Sequence, residues 1–232
     1  PGFFTAPLAH GVLRVAQEKK IIHVTITDPR EFAEDGIVDD YQFGGGGGMV
    51  MKAEPIYHAI KQVQTRQSHL ISLTPKGEPL TQDMVKQLLN KKQLIVLCGR
   101  YKGIDDRIHS LFDFQEISIG DYVLSGGEIG ALVLIDAITR LLPGTLGNID
   151  SAESDSFQCP LLAPPHYTRP EVYRKQTVPH VLRSGNHKMV AHWRRKSSLR
   201  ETLVRRPDIM GRETFSKNDL AILLEVLDGK NS

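Results

Sequence analysis

Cysteine is nearly absent from this chain: there are two among 232 residues, Cys98 and Cys159, with no metal-ligand spacing between them. That scarcity argues against a disulfide scaffold or a thiolate metal site, so a reduced, cytoplasmic protein is expected. No apolar run is long enough to cross a bilayer. The opening PGFFTAPLAHG lacks both the basic region and the long apolar region of a secretory leader. Five consecutive glycines occur at 44–48, but no Gly-Lys-Ser/Thr follows them. They therefore make neither a Walker P-loop nor a dinucleotide fingerprint.

What the chain does contain is ordinary in bulk and uneven in detail. Hydrophobic residues make up 40% and charged residues 24%, as in globular proteins generally. The net charge of +2 hides a division. Residues 1–162 carry 15 basic and 20 acidic side chains, whereas 163–232 carry 14 and 7. A basic module joined to an acidic one implies that the C-terminal part meets a polyanion.

Two glycine-bearing segments stand out, CGRYKGIDDR at 98–107 and SIGDYVLSGGE at 118–128. The first closes a β-branched apolar run, and the second precedes an apolar helix. Glycine loops at strand ends are what an open α/β sheet uses to hold a small ligand at its switch point, because backbone groups can approach the ligand closely. A nucleotide-like ligand is expected there.

Along the chain, residues 3–18 read as a helix and 21–27 (IIHVTIT) as a strand. The glycine run suits either a flexible loop or one packed against a ligand or partner. Helices are expected at 56–64, 81–90 with Thr81 as N-cap, 104–112 and 128–142. Strands are expected at 69–74, closed by Pro75-Lys76-Gly77, at 93–98, and at 115–119. This alternation predicts βαβ units and a mostly parallel sheet. The helix over 128–142 is apolar nearly all round, so its second face needs a cover, and a homodimer is expected. Residues 147–164 read as a linker between a 1–146 domain and a helical 165–232 domain. In the latter, helices are predicted over 186–204 and 217–228, the second with a Ser216/Asp219 capping box.

Between 183 and 206 eight basic residues face one acid, Glu201, with His187, His192 and Trp193 interleaved. A solvated helix face and a nucleic-acid surface both fit that pattern. Trp193 could be core or a stacking platform.

Eight motifs in order carry a more specific signal: residues 39–49, SLTPKG, CGRYKGID, SIGDYVLSGGE, Pro143-Gly144 with Gly147, Asp155-Ser156-Phe157, PHYTRPEV, and Ser184-Gly185-Asn186-His187 through Trp193-Arg194. In this arrangement the chain resembles the bacterial tRNA (guanine-N1)-methyltransferases of the SPOUT class over almost its whole length. The resemblance implies an α/β fold with a deep trefoil knot plus a small all-α C-terminal domain, a homodimer, and S-adenosylmethionine as methyl donor. It implies methylation of N1 of the tRNA guanine at position 37, next to the anticodon.

By the same resemblance the donor is held by Leu73, Thr74, Pro75, Gly99, Tyr101, Ile119, Gly120, Asp121, Tyr122, Val123 and Leu124, with Gly126 and Gly127 closing the knot. Outside such a motif Tyr122 would read as a half-buried core residue. Asp155 matches the general base and Arg140 the group that balances charge on guanine O6. Without the resemblance, Asp155 would read as a turn residue and Arg140 as an ion-pair partner of Asp136. A carboxyl in water titrates at about 3.9, so service as a base asks for burial or a negative neighbour. RNA contacts fall to Arg183, His187, Lys188, Arg194, Arg195 and Lys196. Mg²⁺ assistance is also implied, with no carboxylate cluster to place the ion.

Three departures from the family pattern are visible. Lys102 stands where many relatives carry Glu, and Ser154 replaces an acidic neighbour of the base. The chain begins at Pro1, where relatives carry a further strand ending in a Phe-Pro turn. Absence of that strand is expected to expose a sheet edge. A methyltransferase of this class acting on another nucleotide, and a non-catalytic RNA-binding protein of the same fold, are the competing readings.

Overall fold

The computed structural model describes residues 2–146, 155–158, 161–211 and 214–229. The chain divides into two compact units, Pro1–Gly147 and Asn148–Ser232.

The centre of the first unit is a parallel sheet of three strands, β3 (Ser68–Pro79), β4 (Gln93–Cys98) and β5 (Phe114–Ser118), in the order β4-β3-β5. Successive side chains of a strand point to opposite faces, so Leu70 and Ile71 of β3 enter different cores. Leu70 packs with Ile56, Ile60, Leu97, Ile108 and Phe112. Ile71 packs with Met84, Leu88, Ile117 and Leu134. The first core is supplied by α3 (Ala53–Val63) and α5 (Arg107–Leu111), the second by α4 (Gln82–Leu88) and α6 (Glu128–Thr139). Each fully buried aliphatic side chain contributes about 1.5–3 kcal/mol.

The crossover β3–α4–β4 thus lies on one face of the sheet and β4–α5–β5 on the other. That reversal around β3 is the topological switch point of an open α/β sheet. The Thr81 hydroxyl accepts the Met84 amide at 3.3 Å and caps α4, as its sequence predicts. A short antiparallel pair, β1 (Asp39–Tyr41) and β2 (Met49–Met51), spans the five glycines.

The N-terminal segment corrects two expectations. In place of one helix there are two, α1 (Gly2–Leu8) and α2 (Gly11–Glu18). Gly11 takes φ +58°, which no continuous helix accommodates. Residues 21–27 form no strand. β-branched content favours an extended chain, but a strand needs a neighbour to accept its hydrogen bonds, and this segment has no ladder.

The second unit is built on α7 (His187–Arg205), α8 (Pro207–Met210) and α9 (Lys217–Leu227). Its core joins Leu161, Leu199 and Ile222. The Ser216/Asp219 capping box closes α9. The unit is not purely helical: β6 (Val172–Tyr173) and β7 (Gln176–Thr177) form a small antiparallel ladder, which the polar sequence of those strands concealed. Among the described residues no helix is long and apolar enough to cross a membrane.

Candidate active site

One rung of the sheet organises the site. Leu73 of β3 lies opposite Cys98 of β4 on one side and Ile117 of β5 on the other. Three loops leave from this rung at the carboxyl ends of the strands.

The first loop corrects the expected end of β3. The strand does not close at Pro75-Lys76-Gly77: it leaves the ladder after Leu73 and returns at Glu78, still opposite Ile117. Thr74, Pro75 and Lys76 therefore project as a shelf. Gly77 is obligatory there, since a Cβ would sit 2.3 Å from the Ile117 backbone nitrogen.

The second loop, residues 98–103, is pinned by β2. Lys102 donates its amide to the Met49 carbonyl at 3.0 Å, and the Met51 amide donates to Gly103 at 3.0 Å. The glycine run is consequently the turn of a hairpin whose second strand braces the site. The Lys102 side-chain stem passes over Gly48, 2.8 Å from where a Cβ would stand.

The third loop runs from Ile119 to Gly127 and bends back over the sheet end. The Tyr122 ring lies on Gly120, and its hydroxyl donates to the Ile119 carbonyl at 2.9 Å. Tyr122 is 56% exposed, so it is no core tyrosine. Gly127 then donates its amide to the Gly99 carbonyl at 2.8 Å. A Cβ on Gly127 would lie 2.9 Å from Cys98 Cα, so only glycine allows the two backbones to cross. Gly130, one turn into α6, packs on Leu73 and Ile119.

The crossing is fastened by a pair that the sequence does not single out. Arg100 Nε donates to Glu128 Oε1 at 2.5 Å. The hydrogen bond that Arg100 donates to Glu128 raises the Arg100 pKa above its usual value. The signal was present as two opposite charges flanking the glycine segments, but nothing in their spacing links them. Burial pushes the Cys98 thiol up to about 12, with the Glu128 carboxylate adding to the effect. Cys98 therefore stays protonated at neutral pH and offers no thiolate nucleophile.

Leu73, in the last rung of the β3–β4 ladder, and Thr74, Pro75, Gly99, Tyr101, Ile119, Gly120, Asp121, Tyr122, Val123, Leu124, Gly126 and Gly127, on the loops that issue from it, thus gather at one sheet end. The cradle presents main-chain donors and acceptors beside exposed Tyr101, Val123 and Leu124. A flat heteroaromatic ring with polar edges suits such a surface, because backbone groups reach the edges while apolar side chains cover the faces.

The polar candidates are distributed over both units. Arg140 is the C-cap of α6 and is exposed. Asp155 belongs to the second unit and is half-buried in a short turn, where its carbonyl accepts the Gln158 amide at 3.3 Å. That turn is anchored: Ser156 Oγ accepts the Ala163 amide at 2.8 Å, and buried Leu161 enters the core. Ser154 lies outside the described residues.

Three of the six RNA candidates are engaged in ion pairs within the second unit. Arg183 pairs with Glu171, Arg195 with Asp219 at 2.7 Å, and Lys196 with Glu225 at 2.9 Å. Arg195 holds the Asp219 carboxyl well below its usual range. His187, Lys188 and Arg194 are exposed on α7. Trp193 is half-buried with its ring centroid 6.3 Å from that of Tyr167. Among the described residues no group of three His, Cys, Asp or Glu could hold a metal ion.

A family model described as tRNA (guanine-1)-methyltransferase TrmD matches residues 1–212. Several curated proteins named tRNA (guanine-N(1)-)-methyltransferase are similar. That of Syntrophomonas wolfei is 45% identical over 229 residues, covering 98% of this chain and 93% of its own. That of Dictyoglomus turgidum is 43% identical, with 97% and 93% covered. That of Pseudomonas putida is 47% identical, with 98% and 93% covered.

Proposed function

The chain belongs to the tRNA (guanine-1)-methyltransferase TrmD family and is a tRNA methyltransferase; we propose that it methylates N1 of the guanine immediately 3′ of the anticodon, with S-adenosylmethionine as donor. The observation that carries this reading is the cradle, in which a Cβ at Gly77 or Gly127 would strike neighbouring main chain and one at Gly120 would strike the Tyr122 ring. Leu73, Thr74, Pro75, Gly99, Tyr101 and residues 119–124 hold the adenosyl group. When bound, the donor supplies a methyl group activated by its sulfonium.

The remaining work belongs to side chains. Guanine N1 carries a proton at neutral pH, so its lone pair is available only once that proton leaves. Asp155 accepts the proton, and the Arg140 guanidinium balances the negative charge that collects on O6. The base must leave the anticodon stack to be reached, which calls for a second grip on the RNA. The basic second unit provides that grip through His187, Lys188 and Arg194. No carboxylate set for Mg²⁺ is assembled among the described residues, and no step is assigned to that ion.

A homodimer and a trefoil knot are part of the same reading. Ile129 and Val133, one turn apart on α6, are 45% and 44% exposed, an apolar stripe suited to a second copy. The crossing of 126–127 over 98–100 supports a threaded chain. Val133→Asp is expected to yield a monomer by sedimentation; a variant that stays dimeric removes α6 from the interface.

The decisive experiment is methyl transfer from labelled S-adenosylmethionine to tRNA transcripts with guanine or adenine after the anticodon. Incorporation is expected only with guanine. Equal incorporation into both would refute the positional assignment.

A further inference from the structure

A groove of about 860 Å³ lies within the second unit along α7 and α9. Its lining combines two chemistries. Lys188, His192, Lys196 and Arg200 recur at every fourth position of α7, which places them in one stripe at steps of about 6 Å along the helix. Met189, Trp193 and Val226 form an apolar and aromatic floor beside that stripe. The acid in the lining, Glu225, is already paired with Lys196 at 2.9 Å. Met189 is 55% exposed although it is a large apolar side chain on a charged helix.

We propose that this groove takes one unstacked nucleotide of the RNA, its base against Met189 and Trp193 and its flanking phosphates on Lys188, His192 and Arg200. The proposal rests on the tRNA reading above and adds a defined nucleotide subsite to it. His192 and Arg200, part of the basic cluster but not among the six RNA contacts the resemblance implies, become binding residues. A row of basic side chains at regular steps tracks a sugar-phosphate strand, and an aromatic floor receives whichever base faces it. An acidic peptide would use the cations and leave the floor idle, so the floor favours RNA.

Trp193 is the chain's one tryptophan, so its emission reports this groove alone. The full chain is titrated with single-stranded oligouridylate and, separately, with polyglutamate of equal charge. Saturable quenching by oligouridylate and none by polyglutamate is expected. Equal quenching by both, or quenching by polyglutamate alone, would overturn the base contact. Met189→Glu and Arg200→Gln, both at exposed positions, are expected to raise the tRNA KM about tenfold, with kcat within about twofold. Arg200→Gln is also expected to lower the slope of log affinity against log salt by about one, a change that a purely structural role does not produce. If the unaltered chain fails to methylate tRNA, the underlying reading falls. If it methylates while both variants keep its KM, quenching and salt slope, the groove alone falls.

Discussion

In the first unit a Cβ added at Gly77, Gly120, Gly126 or Gly127 would fall within 3.0 Å of another atom, whereas Gly185 and Gly211 of the second unit have open space around theirs. The cradle at the ends of β3, β4 and β5 brings main chain to contact at Gly77 and Gly127, while the Tyr122 ring and the Glu128 carboxylate fill the space at Gly120 and Gly126. The basic unit presents long side chains on helices, many of them already matched to acids. A surface made of backbone cannot be adjusted residue by residue, so it suits a constant ligand such as a cofactor. A surface made of exchangeable cations suits a large polyanion, whose grip is spread over many weak contacts and screened by salt.

The largest effect should come from the one residue of the second unit that is asked to act chemically. Asp155→Asn is expected to lower kcat by roughly 10²- to 10⁴-fold, the usual worth of a positioned base. Donor affinity, measured by calorimetry, should stay nearly unchanged; near-normal turnover would place the base elsewhere. Next comes Gly127→Ala, whose new methyl meets the Cys98 main chain and cannot displace it. About 1–3 kcal/mol of overpacking is expected, weakening donor binding by up to roughly a hundredfold. A variant that binds the donor normally would break the contrast between rigid cradle and adaptable surface.

In the second unit, Asp219→Ala removes the carboxylate half of the capping box of α9 and the partner of Arg195. A loss of about 1–2 kcal/mol is expected, read from denaturant unfolding followed by Trp193 emission. The smallest effect is a dependence on acid. The folded Asp219 carboxyl is held below its unfolded value, so its stabilisation is complete above about pH 4 and fades as pH falls through the depressed folded pKa. The Trp193-reported melting temperature should be flat from pH 7 to 5 and fall below pH 4. A melting curve insensitive to acid would show the Arg195 pair to be mechanically idle.

How much could be read from the residues differs between the same two regions. Strand β4 coincides with its expected range because four consecutive apolar residues suit a strand covered on both faces. The caps of α4 and α9 were readable because the partners lie three residues apart. The β3 excursion was not: Pro75-Lys76-Gly77 looks like a stop, and only the neighbouring strand reveals that the chain resumes its old register. The Arg100–Glu128 fastening escaped notice because 28 residues separate the two groups. That Arg183 and Arg195 pair with Glu171 and Asp219 is likewise visible only once the fold brings those acids beside them. The role proposed for Asp155 rests on resemblance alone, since a turn aspartate announces no chemistry.

The return of β3 to the same rung has a bearing on how such a chain can change over generations. Because Leu73 and Glu78 both face Ile117, the intervening residues make no net advance along the sheet. Insertions among Thr74, Pro75 and Lys76 would therefore reshape the ledge under a ligand without sliding any neighbouring strand. It is a place where a parallel sheet tolerates trial and error at its binding edge while its interior alignment stays fixed.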